Sequence, residues 1–299
     1  LVMPIAFQQF MLALVSASDA IMLGVLTQDA LSAVSLASQI TFVENLFLAA
    51  MTIGLSMLAA QYWGKKDKAA VERIFAYVMK ITTAIAFVFF ISASCFPRGL
   101  MRIFTDEQPL IDGGAVYLRT VSLSFLLTGI SQLYLCALKN CGKAGKSSII
   151  SSTSVAVNLV LNAVLIFGLF GIPRMEIAGA ALATVLAQVV SALYCLVYIR
   201  RAAELLPRKT DWRADGVLLG ALVGKGLPVA VMNSVTAVGG MVLQVFVNQM
   251  GTAYVAAYAA CMKVCGLFEQ PGITLGLALL TFTGQNYGAG KYDRIKQGV

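Results

Sequence analysis

The stretch from Pro4 to Leu26, PIAFQQFMLALVSASDAIMLGVL, is apolar and long enough to cross a bilayer, yet it carries the carboxylate Asp19. A spanning helix needs about 20 mostly apolar residues, and an aspartate near its centre costs about 2.5–3.5 kcal/mol on insertion scales. On a helical wheel Asp19 and Gln8 fall within about 20° of each other, and Pro4 lies on roughly the same side. This stripe predicts an ion-coupling site, with a bend at Pro4, which lacks a backbone donor. The alternative is a carboxylate near the interface or one that satisfies a neighbour's hydrogen bond.

The composition is that of an integral membrane protein. Of the 299 residues, 59% are hydrophobic and 12% are charged, whereas soluble domains carry about 25% charged residues; the mean hydropathy is +0.83. The net charge of +8 comes from basic residues in short linkers, which argues against nucleic-acid binding. The sequence has no histidine and no HExxH or GxSxG motif, so we expect neither an enzyme nor a cofactor. The six cysteines show no metal-binding spacing, and most would act as small apolar fillers.

Eight apolar segments can be drawn as spanning helices separated by polar linkers. They cover residues 3–26, 33–61, 75–97, 114–138, 148–170, 177–199, 226–248 and 254–283. Sixteen Lys and Arg residues lie in linkers after even-numbered segments, against four on the opposite side. By the positive-inside rule the basic linkers are cytoplasmic. The sequence therefore predicts an all-α polytopic membrane protein with a cytoplasmic N-terminus.

Segments 1 and 2 resemble segments 7 and 8 at a constant offset of 224 residues. Pro4 aligns with Pro228, and Gln61-Tyr62-Trp63-Gly64 aligns with Gln285-Asn286-Tyr287-Gly288, without a gap. Corresponding helices of the two copies are six helices apart, an even number, so both copies keep the same orientation in the membrane. This pattern is typical of a parallel repeat, as found in some transporters. The alternative is chance similarity between apolar helices.

The repeat also predicts the domain organisation. We expect an N-terminal six-helix lobe at 1–199, a cytoplasmic linker at 200–225, and helices 7 and 8 of a second lobe at 226–299. The second copy stops after two helices, and the chain opens inside an apolar run. We therefore expect a fragment, truncated at its front, with about eight of twelve transmembrane helices.

Segment 5 carries the clearest polar face. Its members recur at spacings of three and four, which places them on one side of a helix: Ser147, Ser151, Ser154, Asn158 and Asn162. The two asparagines offer amide oxygens and donors without the cost of a buried charge. They could coordinate a cation or hydrogen-bond Asp19, or the whole face could hold helices together through Ser and Asn contacts.

Other polar residues within the segments are candidates for lining a cleft, because polar side chains inside a bilayer turn towards a cavity or a neighbouring helix. They are Gln8, Glu44, Asn45, Tyr117, Gln132, Thr184, Gln188, Asn233, Gln244 and Lys263. Taken singly, each is better explained by packing than by substrate contact. Asp19 aligns with Leu243 in the repeat, so a coupling site belongs to the first half.

Several motifs in order resemble the MATE (multidrug and toxic compound extrusion) transporters. They are Pro4-Ile5-Ala6, Ser18-Asp19-Ala20-Ile21-Met22-Leu23-Gly24, Ala30-Leu31-Ser32-Ala33-Val34, Ala60-Gln61-Tyr62-Trp63-Gly64-Lys65, Asn158 to Asn162 with Leu165-Ile166-Phe167-Gly168, Ala178 to Thr184, and Gly284 to Gly290. The resemblance extends over essentially the whole chain. No one of these motifs is specific by itself, but their order is.

This resemblance implies two six-helix lobes around a central cleft and export of cationic or amphipathic compounds by antiport against H⁺ or Na⁺. Asp19 matches the family's coupling acid, and Pro4 matches the proline that marks a helix bend. Asn158 and Asn162 match the family's fifth-helix pair. Na⁺ could bind near Asp19, Asn158 and Asn162. Some members carry Asp where this chain has Asn162, which weakens a two-carboxylate site. NorM-like members carry an acid in the seventh helix where this chain has Asn233-Ser234, so the chain resembles the DinF-like branch more closely.

The function expected is therefore that of a secondary active multidrug or cation antiporter. We expect a monomer in the bacterial plasma membrane, a small organic cation as substrate, and no nucleic-acid partner. The alternative is a flippase for a lipid-linked oligosaccharide, whose cleft should be rich in Arg and Lys for the pyrophosphate. We expect the 299-residue piece alone to be inactive, because the cleft would be open on one side.

Overall fold

The computed structural model describes residues 2–24, 28–171, 173–202, 216–250 and 252–298, and these residues are helical apart from short connections. The helices are α1 (Val2–Gly24), α2 (Gln28–Gly64), α3 (Lys68–Cys95), α4 (Pro97–Met101), α5 (Gln108–Asn140), α6 (Ala144–Phe167), α7 (Glu176–Ala202), α8 (Gly216–Gln249), α9 (Thr252–Gly288) and α10 (Tyr292–Gly298). No strand occurs in the ranges given above. The all-α architecture expected from the sequence is confirmed.

Each of the eight predicted segments coincides largely with one long helix, although 75–97 and 148–170 run two or three residues past the ends of α3 and α6. Six of the described helices are long and apolar enough to cross a membrane. The chain is a multi-pass membrane protein. Both α2 and α9 have 37 residues, which at 1.5 Å per residue gives a length of about 55 Å. Because the hydrocarbon core is only about 30 Å thick, the ends of these two helices extend beyond it.

Local sequence signals set several helix ends. Asp67 precedes α3 and its side chain accepts a hydrogen bond from the Ala70 backbone N–H at 3.0 Å, which satisfies one free donor of the first turn. Pro97 begins α4 at a position where the missing N–H has no cost. Gly168 ends α6 in the left-handed conformation, with φ 71°.

The linker between the third and fourth segments contains a helix that the sequence reading missed. The sequence predicts a polar connection here, but residues 97–101 form α4. Met101 is fully buried and lies against Gly114 of α5, where any larger side chain would collide with it. One apolar side chain facing a glycine therefore fixes this linker to the bundle, and hydropathy averaged over the linker does not detect it.

The largest core cluster lies among α2, α3, α5 and the end of α7. Leu55, Phe75 and Leu133 are fully buried there, and the Phe75 and Tyr134 rings pack with centroids 4.7 Å apart. Small residues permit the close approach of helices elsewhere, as at Gly129, which lies between α2 and α3 side chains. Packing of this kind, rather than hydrophobic exclusion from water, holds helices together in lipid.

The ends of α2 and α9 cross in backbone contact. A Cβ added at Gly64 would collide with the Gln285 carbonyl, and one added at Gly288 would collide with the Gln61 carbonyl. The two contacts exchange under the 224-residue offset found in the sequence. Only glycine, without a Cβ, allows the backbones to come this close. We call this contact the α2–α9 crossing, and the end of the bundle where it lies the basic end, after its lysines.

Candidate functional site

The predicted polar face of α6 is buried along its whole length, and its two halves behave differently. The Ser147 hydroxyl donates to the Leu135 carbonyl of α5 at 3.0 Å, and the Ser154 hydroxyl donates to the Ala187 carbonyl of α7 at 2.7 Å. These serines bind neighbouring helices, which is the packing role left open by the sequence. The asparagines that follow do not share this pattern.

Asn158 and Asn162 bond to each other. The Asn162 Nδ2 donates to the Asn158 Oδ1 at 3.1 Å, and the two residues are 7% and 1% exposed. A buried amide pair keeps polar atoms inside the bundle at a lower cost than a buried charge. The pair is therefore a polar centre on the α6 face, built from amide groups of the kind that hard cations and carboxylic acids bind.

Helices α1 and α6 run parallel and in contact. Ile5, in the first turn of α1, shares a buried cluster with Ala144 at the start of α6. Met22, near the end of α1, packs against the cluster that contains Ile166 near the end of α6. The starts and the ends of the two helices therefore meet in the same order.

This pairing sets the level of Asp19 along the bundle. Asp19 lies three residues before Met22 on α1, and Asn162 lies four residues before Ile166 on α6. Because the helices are parallel and rise about 1.5 Å per residue, the Asp19 backbone lies at about the level of Asn162. The Asp19 side chain lies outside the described residues, so its ion-coupling role stays a prediction.

A cavity of about 180 Å³, lined by both polar and apolar side chains, lies nearer the basic end, between α1, α2, α5 and α9. Two predicted cleft residues line it together, Gln8 and Gln132. Gln8 is 4% exposed, and its Oε1 has no hydrogen-bond partner among the described residues. Lys139 lines the same cavity. The structure thus brings together one pair of the candidates proposed from the sequence.

A buried hydrogen-bond network closes this cavity towards the basic end, and the sequence reading missed it. Its centre is Asn140, which is 1% exposed and donates through Nδ2 to the Ser56 hydroxyl at 3.0 Å. From α9, the Thr281 hydroxyl donates to the Asn140 Oδ1 at 3.2 Å, and the Gln285 Nε2 donates to the Asn140 carbonyl at 2.7 Å. The network therefore connects α2 and α5 to α9.

Cys136 belongs to this network, which corrects its interpretation as an apolar filler. Its Sγ lies 3.0 Å from the Ser56 hydroxyl and donates to the Thr52 carbonyl at 3.3 Å. Asn140 and Cys136 are one turn apart on α5. The four-residue spacing of Cys136 and Asn140 places both on one face of a helix. Asn140, however, lies just beyond the predicted fourth segment, 114–138, next to basic residues, so the sequence predicts a linker there.

Replacing Asn140 with alanine is expected to lower the free energy of unfolding by about 1–3 kcal/mol, because buried polar partners lose their bonds. The measurement is thermal or denaturant unfolding of the full-length protein in detergent micelles. Asn45→Ala is the matched control, because Asn45 is exposed on α2 and surface changes are usually within about 0.5 kcal/mol. Equal effects of the two variants would contradict the role of Asn140 as the centre of the network.

The other candidates are not brought to the cavity. Glu44 is 1% exposed, and its Oε1 has no hydrogen-bond partner in the described part of the chain. Tyr117 packs against two buried clusters, and the Thr184 hydroxyl donates to the Ala180 carbonyl of its own helix at 3.1 Å.

The remaining candidates are half-buried or lie outside the description. Gln188 and Asn233 are half-buried. The side chains of Gln244 and Lys263 are not among the described residues, and their role as cleft residues stays a prediction. Pro4 belongs to α1, and the bend expected there stays a prediction. Within the described ranges, no three His, Cys, Asp or Glu side chains form a group that could hold a metal ion.

Sequence comparison finds relatives of this chain among multidrug resistance proteins. The chain is 27% identical over 273 residues to the probable multidrug resistance protein YoeA of Bacillus subtilis, covering 90% of this chain and 59% of that protein. It is 26% identical over 293 residues to the multidrug resistance protein NorM of Burkholderia vietnamiensis, covering 96% of this chain and 62% of that protein. The chain therefore spans about three fifths of the length of these relatives. These relatives include NorM and a protein of another name, so they do not distinguish the two branches of the family. The DinF-like branch therefore stays a prediction.

Solved structures share the fold. An outward-facing multidrug resistance MATE family transporter of the MOP superfamily superposes with a TM-score of 0.89 at 18% identity, covering all of this chain and 66% of that one. A MATE structure in complex with MaL6 superposes with a TM-score of 0.90 at 19% identity, with the same coverage. The MatE family model matches residues 4–164 and again residues 228–299. Since these matches cover more than half of the chain, the protein belongs to the MatE family.

Proposed function

We propose that this chain is the larger part of a secondary active exporter that expels organic cations or amphipathic compounds in exchange for H⁺ or Na⁺. Its relatives are named multidrug resistance proteins, and their family is one of transporters rather than enzymes. The observation that carries the proposal is the buried Asn158–Asn162 pair on α6, level with the Asp19 backbone on the parallel helix α1.

In the proposed cycle, Asp19 binds the coupling ion and the two asparagines complete its surroundings. A carboxylate and two amide oxygens suit Na⁺, and a carboxylic acid hydrogen-bonded to an amide suits H⁺. The ion and the substrate must favour different conformations, because a ligand with equal affinity for both would drive nothing. Pro4, at the start of α1, is the proposed place for the helix to bend.

The cavity at Gln8 and Gln132 is the proposed route to the substrate site. Its volume of about 180 Å³ is below the roughly 300–1,000 Å³ of typical ligand pockets, so a drug-sized molecule needs a conformation in which the cavity is wider. The α2–α9 crossing and the Asn140 network must separate for it to widen towards the basic end. Lys139 would repel an organic cation, so we place the substrate towards Gln8.

The test uses the full-length gene in a bacterial host that lacks its own efflux pumps. Ethidium accumulation is followed with the proton gradient collapsed, with sodium removed, and with both gradients intact. Lower accumulation than in cells with an empty vector, lost on removal of one gradient, supports the antiporter and identifies its ion. Accumulation equal to that of the empty vector, with ethidium and with a panel of other cations, would contradict the proposed export of organic cations.

The same proposal places the protein in the bacterial plasma membrane as a monomer, with the basic end in the cytoplasm. The excess of Lys and Arg in the linkers at that end supports this orientation. A flippase for a lipid-linked oligosaccharide would need several basic side chains in its cleft. Among the described residues that line the cavity at Gln8 and Gln132, Lys139 is the one cation. This scarcity of basic side chains favours the antiporter.

A further inference from the structure

Four lysines surround an open cavity of about 820 Å³ at the basic end. They are Lys65, Lys66, Lys68 and Lys291, and all four are exposed. The backbone of the α2–α9 crossing forms its floor, through Gly64, Gly288 and Ala289, and Trp63 forms one side. No Asp or Glu occurs among its described lining residues. We call it the basic cavity.

The cavity is assembled from two turns with the same geometry. After α2, the backbone N–H groups of residues 65, 66 and 67 donate to the carbonyls of residues 61, 63 and 62 at 3.1, 2.9 and 3.0 Å. After α9, those of residues 289, 290 and 291 donate to the carbonyls of residues 285, 287 and 286 at 3.0, 3.1 and 2.9 Å. The bonds correspond one to one at the 224-residue offset, so the cavity exists only while the crossing brings the two turns together.

One difference between the turns points to a ligand. The left-handed position is occupied by Gly290 in the second turn, with φ 69°, and by Lys66 in the first, with φ 62°. The left-handed conformation costs a residue with a side chain about 1–2 kcal/mol, whereas glycine adopts it freely. Strain of this kind is concentrated at functional positions. Lys66 therefore carries a conformational cost at the place where its charge faces the cavity.

Two of the other lysines lie over aromatic rings. The Lys65 Nζ lies 5.4 Å from the centre of the Tyr62 ring, and the Lys68 Nζ lies 5.9 Å from the centre of the Trp63 ring. Such contacts favour a fixed position of the ammonium group. Tyr and Trp side chains also concentrate at the level of lipid headgroups, which suits a ligand located in the membrane interface.

A mostly apolar groove of about 700 Å³ lies next to this region along α2 and α9, with Gln61 and Lys225 also in its lining. It is lined by Met57, Leu279 and Leu280, and at its end by Tyr287, the neighbour of Gly288 in the floor of the basic cavity. A soluble anion would make no favourable contact with the apolar side chains of this groove, whereas the acyl chain of a lipid would pack against them. The positive-inside rule accounts for lysines at this end, but it requires neither a strained backbone nor two converging turns.

We propose that the basic cavity binds the phosphate headgroup of an anionic membrane lipid, with an acyl chain along the groove. Four cations facing one space favour a phosphate, which accepts several charge-assisted hydrogen bonds. Because both turns are needed, the bound lipid stabilises the conformation with the α2–α9 crossing closed and opposes its separation. This inference does not depend on which compound the protein transports.

The test measures binding of phosphatidylglycerol to the full-length protein in phosphatidylcholine nanodiscs, as apparent affinity and as the shift in melting temperature. The variant Lys65→Gln/Lys66→Gln/Lys68→Gln/Lys291→Gln is compared with Lys143→Gln/Lys146→Gln/Arg200→Gln/Arg201→Gln, which removes four charges elsewhere. We expect at least a tenfold loss of affinity in the first variant and less than a threefold loss in the second. Equal losses would overturn the proposal, because they would indicate attraction to the whole surface.

A single substitution separates binding from stability. Lys66→Gly relieves the left-handed strain, so we expect an unchanged or higher melting temperature in phosphatidylcholine together with weaker phosphatidylglycerol binding. Unchanged binding in this variant would contradict the role of Lys66. Inorganic phosphate is the remaining probe: if millimolar phosphate displaces phosphatidylglycerol completely, the cavity is a site for free anions and the lipid assignment is wrong.

Discussion

Replacing Asp19 with asparagine is expected to abolish ion-driven export, so that cells expressing the variant accumulate ethidium as cells without the transporter do. Asparagine keeps the size and polarity of the side chain but cannot exchange a proton or carry the charge that attracts Na⁺. Coupling between two ligands typically amounts to about 1–3 kcal/mol, or 5–150-fold in affinity, and all of it would be lost. Export is measured with both gradients intact.

The control for this variant is Asp106→Asn, which removes an acid that is exposed in the linker between α4 and α5. It changes the net charge by the same amount and should export normally. Both variants are first checked for equal amounts in the membrane, because a misinserted protein also fails to export. Normal ethidium export by a correctly inserted Asp19→Asn protein would show that the coupling site lies elsewhere.

The second large effect is expected at the α2–α9 crossing. In Gly288→Ala, the new Cβ would collide with the Gln61 carbonyl, a backbone atom that cannot move by a rotamer change. Overpacking of this kind costs about 1–3 kcal/mol, which shifts the ratio of closed to open conformations by about 5–150-fold. We expect the basic end to open and export to fall, and Gly64→Ala should do the same, as its repeat partner.

Cys136 provides the measurement. It is buried in the Asn140 network and lines the cavity at Gln8 and Gln132. Its reaction with a water-soluble maleimide therefore reports opening of the basic end. In a full-length protein with Cys136 as the one remaining cysteine, Gly288→Ala should raise the labelling rate at least tenfold.

Gly276→Ala is the matched control in the same helix, since nothing lies within 4 Å of a Cβ added there. It should leave the labelling rate unchanged, and the added alanine suits a helix better than glycine by about 1 kcal/mol. A Gly288→Ala protein that labels as slowly as the wild type and exports normally would contradict the account of the crossing.

Features that depend on the neighbours of a residue along the helix could be predicted from the sequence. Hydropathy located the long helices, and the spacing of three and four residues placed Asn158 and Asn162 on one buried face. The 224-residue offset identified Gln61 and Gln285, Gly64 and Gly288 as equivalent. These predictions needed no knowledge of which helices touch.

The Asn140 network and the basic cavity could not be predicted, because both depend on contacts between helices that are distant in the chain. Thr281 and Asn140 are 141 residues apart, and no local pattern links them. The offset showed that Gly64 and Gly288 correspond, but not that each contacts the other's neighbour. Lys66 was counted only as a topology signal, since its left-handed backbone is visible only in the structure.

The account depends most on Asp19 as the coupling residue, and substrate-driven ion release from the purified protein tests this most directly. The full-length protein is reconstituted in liposomes with a trapped pH dye, and an organic cation is added in the presence and absence of Na⁺. We predict that the wild type releases H⁺, or Na⁺ measured with a sodium dye, in proportion to substrate uptake, and that Asp19→Asn releases neither. Equal ion release by the wild type and the variant would contradict the central claim.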